Sequence, residues 1–553
     1  MNVHPHPARF LASLALALLA LTVPALAQSS SLGSGEIALY TEAGGGDAIV
    51  QNGNLTTNVL THDFDASVRE DVGSFSRVGA DITLNRAGHY LALYNSQFDR
   101  LPGGSNRSEI QSYLTLNGVE QASGWSQGYI RRASGQDETI TAGAAVFEAA
   151  ATDVLQLRSF RTDNNGGGVQ RIASATGLQL LKLDDSDMSY ARLSLAANTG
   201  GPTNANFVKV PYDTDDELDA AFLHGAAGDL TLVDGGKYLV IANTYAQETV
   251  ERSSLVQRLT LDSVEVAGSK TTVYLRGNQQ NSNQGAASIA MIIDAIAGQV
   301  LSVEGSLDQN RAPCNYIGGR CALTVVKLSD AADYVRLNHT VDQDSNTPAE
   351  TPLIFANNDQ VDAAAFAHVA SASAVTVLQD GDYLFLSSLY DNNDQVQRAF
   401  FHQGWSVNGS GKEVSGRSGR YVRNTGGVDQ FGNSSGFLAS GMVANDTVEM
   451  VSSALAATGV NNANQVFLQG VRLSSLFVFN NFGVDLSSTA VDVSEAGPTT
   501  ATYDMNLRAD PTAGTVEVTV TADADTEVGT DGVAFGPTAV FSLTDTTPQT
   551  VHV

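Results

Sequence analysis

Arginines recur along this sequence at a spacing that could build binding sites for acidic groups. Three of them precede segments with strand-like alternation and are separated by 145 and 146 residues: Arg107, Arg252 and Arg398. Each is followed by a second arginine inside a Tyr-aliphatic-Arg triplet, and these are Arg131, Arg276 and Arg423. Guanidinium groups bind carboxylates and sugars through several hydrogen bonds, so three equivalent ligand-binding sites are one hypothesis. The alternative is structural, with the arginines forming hydrogen bonds and ion pairs between strands or filling an interdomain contact.

Two serines match the motif of a hydrolase nucleophile. The segments GWSQG at 124–128 and GNSSG at 432–436 fit G-x-S-x-G, which carries a nucleophile only at a strand-to-helix turn of an α/β sheet. Both segments are rich in Gly or Ser and are predicted to be loops of a β repeat, so we expect no catalysis by Ser126 or Ser434. The sequence contains no H-E-x-x-H, P-loop or dinucleotide-binding motif. We predict a protein that is not an enzyme, although a glycosidase carboxylate pair would leave no sequence motif.

Acidic residues near the end of the sequence are candidates for binding calcium, the one cofactor that we consider. Calcium requires several hard oxygen ligands. The candidates are Glu495, Asp523, Asp525, Glu527 and Asp531. The run Asp-Ala-Asp-Thr-Glu lacks the glycine and the final glutamate of an EF-hand loop. A solvated acidic loop is the alternative interpretation.

The two cysteines, Cys314 and Cys321, enclose the segment NYIGGR. Its Gly-Gly pair can form a tight turn, and an oxidising compartment favours a local disulfide across the resulting hairpin. Two thiols without matching histidines make a poor zinc site. We therefore predict a disulfide between Cys314 and Cys321.

The arginines belong to a repeat of domain size. Each copy has a Gly-x-Tyr before an apolar strand, beginning at Gly88, Gly236 and Gly381. Each copy closes on an aliphatic strand that ends in a leucine, and these are Leu183, Leu328 and Leu473. Solenoid repeats span about 20–50 residues, so a period near 145 indicates tandem globular domains.

The segment EIQSYLTLNG shows what each copy folds into. Ile110, Leu114 and Leu116 alternate with Gln111 and Tyr113, which predicts a strand with one buried face. The following Asn-Gly tolerates positive φ and predicts a two-residue hairpin turn. The second copy has Asp-Ser at the corresponding place, and the third again has Asn-Gly.

Composition favours β structure and excludes some partners. Apolar residues make up 42% of the 553-residue chain, charged residues only 16%, and there are 52 glycines. With 59 acidic residues against 30 Lys and Arg, the formal net charge is -29. We therefore expect no nucleic-acid partner and no anionic membrane surface. A simpler explanation of the acidity is that it keeps an exported protein soluble.

The first 27 residues have the features of a secretory signal peptide. Arg9 precedes an apolar run, and Ala25-Leu26-Ala27 supplies a small-residue cleavage pattern. We expect Sec-type cleavage near Ala27 and a secreted, extracellular or cell-surface location. No later stretch approaches about 18 uninterrupted apolar residues, so the mature chain is predicted to have no transmembrane helix.

With these motifs in place, the repeats resemble the complement globular-head and tumour-necrosis-factor (TNF-like) superfamily. The shared features are the Gly-x-Tyr, the strand ending in L-x-N-G, the Tyr-aliphatic-Arg triplet and an acidic turn at Asp153 and Asp446, where the second copy has Gln299. The resemblance spans about residues 35–475. It implies ten-stranded jelly rolls that assemble as trimers and bind proteins, glycans or lipids.

The trimers of that family suggest a hypothesis about this chain. Only residues 184–190 and 329–334 join consecutive copies, which leaves the domains little freedom. The resemblance implies jelly rolls whose termini lie close together, which would allow three copies in one chain to close into an intramolecular pseudo-trimer. A linear string of domains is the alternative, and a homo-oligomer also stays open.

The end of the sequence resembles a Calx-beta domain, an immunoglobulin-like sandwich found in bacterial surface proteins and often calcium-binding. The matching pieces lie near 493–503, 509–520 and 547–553. The sequence stops as the last strand ends, so truncation of this domain is a further hypothesis. The predicted organisation is a signal peptide at 1–27, a linker at 28–34, jelly-roll repeats at 35–184, 185–329 and 330–475, a linker at 476–489 and a Calx-beta-like domain at 490–553.

Together these features predict an all-β protein with three tandem jelly-roll β-sandwiches and a C-terminal immunoglobulin-like β-sandwich. The expected function is noncatalytic binding or adhesion to an extracellular protein or glycan, with calcium dependence as a further hypothesis. A structural component of an extracellular matrix or filament is the alternative. A carbohydrate-acting enzyme is the third hypothesis.

Overall fold

The structure is a computed structural model of the chain. The residues that it describes are 36–42, 48–49, 59–101, 107–131, 136–162, 168–183, 188–248, 252–276, 283–307, 313–329, 332–339, 343, 349–392, 398–423, 430–455, 462–476, 484–486, 502–507, 516–521, 530, 538–543 and 549–552. The predicted signal peptide lies outside them. The chain divides into two compact units, of which one is residues 33–477 and contains the three repeats.

The first repeat folds into two antiparallel sheets. Its strands are β1 (Glu36–Thr41), β2 (Ala48–Ile49), β3 (Leu60–Thr61), β4 (Ala66–Glu70), β5 (Phe75–Val78), β6 (Asp81–Leu84), β7 (Gly88–Arg100), β8 (Ser108–Leu116), β9 (Val119–Ile130), β10 (Glu138–Ala149), β11 (Asp153–Arg161) and β12 (Val169–Lys182). One sheet has the order β4-β1-β12-β7-β10, and the other has the order β5-β6-β11-β8-β9.

The second repeat has the same two sheets. Its strands are β13 (Tyr190–Ser194), β14 (Thr199–Gly200), β15 (Val208–Lys209), β16 (Thr214–Leu218), β17 (Phe222–His224), β18 (Leu230–Leu232), β19 (Gly236–Glu248), β20 (Ser253–Leu261), β21 (Val264–Glu265), β22 (Thr271–Leu275), β23 (Gln284–Ala295), β24 (Val300–Leu307), β25 (Cys314–Tyr316) and β26 (Ala322–Lys327), with a 3-10 turn at Ala226–Gly228. The sheet orders are β16-β13-β26-β19-β23 and β17-β18-β24-β20-β22.

The third repeat follows the same plan. Its strands are β27 (Tyr334–His339), β28 (Thr351–Pro352), β29 (Asn357–Val361), β30 (Phe366–Ala367), β31 (Ala374–Val377), β32 (Gly381–Asn392), β33 (Ala399–Val407), β34 (Ser418–Val422), β35 (Gln430–Met442), β36 (Thr447–Leu455) and β37 (Asn462–Arg472), followed by the short helix α1 (Leu473–Leu476). The sheet orders are β29-β27-β37-β32-β35 and β30-β31-β36-β33-β34.

The repeated strand order defines the architecture. In each repeat, the chain crosses several times between two antiparallel sheets that share a five-stranded order, with short strands added to most of them, which is the connectivity of a jelly roll. One sheet of the first repeat continues into the third, because β10 pairs with β34 at Ile140 and Gly419. Side chains from both sheets fill the space between them; in the first repeat these include Tyr40, Tyr90, Leu114, Leu157 and Leu180, all buried. Fully burying one such side chain contributes about 1.5–3 kcal/mol. The all-β prediction and the β-sandwich prediction are confirmed.

The Gly-x-Tyr motif fixes the start of one long strand in each repeat. Its glycines adopt φ of 130°, 135° and 148° at Gly88, Gly236 and Gly381, a region that side chains rarely allow. The tyrosine two residues later is buried, and its hydroxyl donates a 2.6 Å hydrogen bond to the carbonyl oxygen four residues before it. These tyrosines are Tyr90, Tyr238 and Tyr383. The motif is therefore structural in all three repeats.

The predicted hairpin turns are confirmed. Asn117-Gly118, Asp262-Ser263 and Asn408-Gly409 all have positive φ at both positions, as a type I′ turn requires. The prediction that the preceding strand has only one buried face is wrong. All seven consecutive residues from Glu109 to Thr115 in β8 are buried, whether apolar or polar. The outer face of this strand is buried because it packs against the second repeat. Tyr113 belongs to the core cluster of that repeat, and the Tyr245 hydroxyl donates to Gln111 Oε1 at 2.6 Å.

The acidic turn of the repeats ties the hairpin to the neighbouring strand. In the first repeat, Asn117 Nδ2 donates to Asp153 Oδ1 at 2.7 Å, and its Oδ1 accepts from Val154 N. The third repeat has the same arrangement between Asn408 and Asp446. In the second repeat the types are exchanged: Gln299 Nε2 donates to Asp262 Oδ2 at 3.2 Å. Each repeat therefore keeps one amide and one carboxylate at this contact.

Residues 478–553 belong to the other compact unit. Its described strands are β38 (Val484–Leu486), β39 (Thr502–Leu507), β40 (Val516–Thr521), β41 (Thr538–Leu543) and β42 (Gln549–His552). β39 pairs with β38 and β42, and β40 pairs with β41, all antiparallel. β38 falls inside the segment predicted to be a linker. The Calx-beta resemblance stays a prediction.

Candidate ligand-binding site where the three repeats meet

The tyrosines of the Tyr-aliphatic-Arg triplets meet at one point. Tyr129, Tyr274 and Tyr421 come from β9, β22 and β34, one strand of each repeat. Their ring centroids are 5.2 Å, 5.1 Å and 5.6 Å apart, so each ring contacts both others. Tilted and edge-on contacts at these distances are favourable between aromatic rings. Residues about 145 apart in the sequence are therefore equivalent in space around one local axis.

The six predicted arginines lie at the same strand ends as these tyrosines. Residues i and i+2 of a strand point to the same face, which places Arg131, Arg276 and Arg423 on the face of the tyrosine rings. The other three lie opposite them, one residue beyond the last paired residues of each hairpin. These are Arg107, Arg252 and Arg398. The structure thus brings all six together around the tyrosine cluster, whereas the sequence suggested three separate sites.

One side chain connects arginines of different repeats directly. Gln136 Oε1 accepts a 2.6 Å hydrogen bond from the Arg131 guanidinium, and Gln136 Nε2 donates at 2.7 Å to the carbonyl oxygen of Arg398. Arg131 belongs to the first repeat and Arg398 to the third. Gln136 was not among the predicted site residues, since only one repeat carries it.

The electrostatics show how close these groups are. Burial lowers the pKa of Arg131, Tyr421 acts in the opposite direction, and the cations Arg398 and Arg107 lower it further. Burial raises the pKa of Tyr129, against the effect of the nearby Arg276 and Arg107. The guanidinium groups of Arg131 in the first repeat and Arg398 in the third therefore lie close enough to repel each other.

A half-buried arginine forms hydrogen bonds with all three repeats next to the tyrosine cluster. Arg420 donates hydrogen bonds to the carbonyl oxygens of Gln127 in the first repeat and Ala286 in the second, and to Asn433 Oδ1 in its own repeat. Burial lowers its pKa to about 10, and Tyr94 acts in the opposite direction. Gly128 and Val273 occupy the equivalent positions before the other two tyrosines. This contact was not predictable from the repeat.

Glutamine side chains bind the backbone of the next repeat in cyclic order. Gln179 of the first repeat accepts from Leu438 N at 3.0 Å and donates to Leu438 O at 3.1 Å. Gln469 of the third repeat makes the same pair of bonds with Ile292 of the second, at 2.8 Å and 2.6 Å. The second repeat has Thr324 at this position, and its buried hydroxyl has no hydrogen-bond partner among the described residues.

A small cavity of about 20 Å³ lies between the repeats, which is room for about one water molecule. Its lining comes from all three repeats: Tyr94, residues 142–144, residues 288–290, Gly416, Arg417 and residues 434–436. The strands that converge here are β10, β23 and β35. Equivalent strands of the three repeats therefore meet at this cavity as well as at the tyrosine cluster.

The two serines of the G-x-S-x-G segments lie in strands, so their placement in loops was wrong. Ser126 is buried in β9, and its hydroxyl accepts from Ala142 N at 3.0 Å. Ser434 lies in β35, where its hydroxyl accepts from Ala290 N at 3.1 Å and donates to Ala290 O at 3.2 Å. Both hydroxyls are used in contacts between strands, and neither lies at a strand-to-helix turn.

Cys314 and Cys321 are buried free thiols, so the predicted disulfide is not formed in this structure. Cys314 pairs with Glu248 on β19, while the residue after Cys321, Ala322, pairs with Asn243 on the same strand. These partners are five residues apart, roughly 16 Å along a strand. Disulfide Cα atoms lie within about 7 Å. Burial raises the pKa of each thiol to about 12.

The predicted calcium ligands Glu495, Asp523, Asp525, Glu527 and Asp531 all lie outside the described residues. Within the described ranges, no group of three or more His, Cys, Asp or Glu side chains is placed to hold a metal ion. Among the same residues, no helix has the length and apolar character to cross a membrane.

Several solved structures are similar to a quarter of the chain. They include murine APRIL at pH 5.0 (11% identity, 26% of this chain and 100% of that chain, TM-score 0.20), Eiger TNF from S. frugiperda (15% identity, 26% and 94%, TM-score 0.19) and the globular domain of a zebrafish complement 1qA protein (11% identity, 25% and 94%, TM-score 0.18). No protein-family model matches the chain, and no curated protein matches it at a significant level.

Proposed function

We propose that the chain is a noncatalytic binding protein in which three jelly rolls form a trimer within a single polypeptide. The observation that carries this proposal is the contact of Tyr129, Tyr274 and Tyr421, one from each repeat. Side chains that a repeat shares with its copies and that meet at one axis support closure of the repeats around it. The cyclic contacts of Gln179 and Gln469 support the same arrangement.

The proposed ligand is an extracellular protein or glycan. The arginines around the tyrosine cluster support this choice, because guanidinium groups form paired hydrogen bonds with acidic groups. The serines that suggested hydrolysis make interstrand contacts instead. Export after cleavage near Ala27, the domain boundaries given above, the Calx-beta-like module and calcium dependence are further parts of the proposal.

A glycan and extracellular-protein array tests this function. The mature chain is applied with calcium and with a chelator, and each bound spot is checked for turnover of the ligand. We expect discrete hits without turnover; hits that are lost in chelator would assign a role to calcium. No hits under either condition would favour a structural component of a matrix or filament, and turnover of a glycan would favour an enzyme.

A further inference from the structure

The end of the axis that carries the tyrosine cluster concentrates positive charge in an acidic protein. Arg131, Arg252 and Arg398, one from each repeat, lie there at three adjacent strand ends, while the whole chain has a formal net charge of -29. Cations held this close repel one another, which costs folding free energy unless an anion or a contact compensates for it. The arrangement therefore needs an explanation beyond sheet stability.

One arginine from each repeat forms no ion pair with a carboxylate of the described residues. Among the described residues, Arg131, Arg252 and Arg398 form no ion pair, whereas other arginines of the repeats do, such as Arg192 with Asp216 at 3.8 Å. Arg131 instead bonds to the uncharged side chain of Gln136.

Gln136 holds part of the cluster in position. It joins the Arg131 guanidinium to the backbone of Arg398, and it is itself buried. A guanidinium fixed in this way loses less conformational entropy when it binds an acid group than a free surface side chain does. Such preorganisation is expected of a binding site and is not required of a solvated surface arginine.

We propose that these arginines form one anion-binding site on the local axis and that its ligand is a compact polyanion with several sulfate, carboxylate or phosphate groups. This inference rests on the proposed function, because it places the glycan-binding site at the meeting point of the repeats. Arg131, Arg252 and Arg398 come from three different repeats around one axis, which matches a ligand that carries acid groups on more than one side. An acidic sugar at the end of an extracellular glycan has this chemistry.

The acidic remainder of the protein makes the site selective. A surface with net negative charge repels long polyanions at distances within the Debye length of about 8–10 Å, so only a ligand small enough to sit on the cluster gains from it. A single-stranded oligonucleotide extends beyond the cluster and should bind poorly. Binding of the compact ligand should weaken as salt is added.

Isothermal titration calorimetry on the full chain without its signal peptide tests the site. The probes are a trisulfated disaccharide, the same disaccharide without sulfate, inorganic tripolyphosphate and a short single-stranded oligonucleotide. The variants are Arg131→Gln and Arg398→Gln, and the control is Arg192→Gln, which removes the same charge away from the axis. Thermal unfolding of each variant shows that it is folded.

We expect the trisulfated disaccharide to bind, with each site variant losing about tenfold in affinity and the control losing less than twofold. Binding of tripolyphosphate alone would uphold the anion site and replace the glycan by free phosphate. Equal binding of the unsulfated sugar, tightest binding of the oligonucleotide, or no binding by any probe would overturn the inference. An array hit that both site variants retain would overturn it while leaving the proposed function standing.

Discussion

At the residue scale, His402 shows how burial beside cations makes one side chain sensitive to pH. It lies in β33, is only 9% exposed and accepts a 3.2 Å hydrogen bond from Lys412 Nζ at its Nδ1. Burial, then Lys412 and Arg417, lower its pKa to about 3. The native state therefore holds this imidazole neutral at pH values where the unfolded chain binds a proton.

Replacing His402 should make the free energy of unfolding fall less steeply as the pH decreases below about 6.5. Because the folded pKa is depressed, the unfolded state takes up the proton first as pH falls below about 6.5 and stability is lost down to about pH 3. Between pH 6.5 and 5 this amounts to about 2 kcal/mol. The His402→Gln variant lacks that loss, so urea unfolding at both pH values should show a smaller decrease than in the parent. An identical decrease in both proteins would contradict this account of His402.

The residues that the sequence could identify are those that all repeats share. The arginine columns and the Tyr-aliphatic-Arg triplets stand out because they recur at one period, and the structure brings them together. Arg420 and Gln136 occur in one repeat only, so no pattern marks them, although both bridge repeats. An interface between nonidentical copies needs residues that break the repeat, and those are visible only in three dimensions.

At the element scale, all three repeats join the hairpin turn to the next strand through an amide and a carboxylate, but the second repeat exchanges the positions of these two residue types. The first and third repeats use an asparagine in the turn with an aspartate in the next strand, and the second uses Asp262 with Gln299. Each pair combines one amide with one carboxylate, which lets the amide donate to the charged oxygen. This exchange explains why the second repeat has Gln299 where the other repeats have Asp153 and Asp446.

A double-mutant cycle tests this tie. Gln299→Asp places a second carboxylate beside Asp262 and should cost about 1 kcal/mol through lost hydrogen bonding and like-charge repulsion. Adding Asp262→Asn recreates the pattern of the other repeats and should restore most of that stability. Urea midpoints of the two single variants and the double variant give the coupling. Strictly additive effects would show that these side chains do not act as a pair.

The elements themselves were largely predictable. Alternation, Gly-x-Tyr and Asn-Gly signals located the strands and turns because each reflects local backbone chemistry. The outer face of β8 was misread as solvent-facing, since a Gln and a Tyr on a strand fit either water or a polar interface. Only the neighbouring repeat, through Tyr245, decides between the two.

At the scale of the whole molecule, the glutamine contacts between repeats should contribute much of the free energy that holds the three repeats together. Gln469→Ala removes both bonds to the Ile292 backbone and leaves a buried N–H and C=O without partners, at a cost of about 2–4 kcal/mol. The matched variant is Thr324→Val at the equivalent position, where the hydroxyl has no described partner and a near-neutral effect is expected. Urea unfolding compares them. Equal destabilisation by both variants would argue against a special role for Gln469.

The central claim is that the three repeats close around one axis, and small-angle X-ray scattering on residues 33–477 tests it most directly. A compact monomer of this length has a radius of gyration of about 22 Å, whereas three jelly rolls in a line exceed about 30 Å. We predict a monomer near the smaller value, with the tyrosine cluster intact. An elongated particle, or compactness reached only in a multimer of chains, would contradict the account.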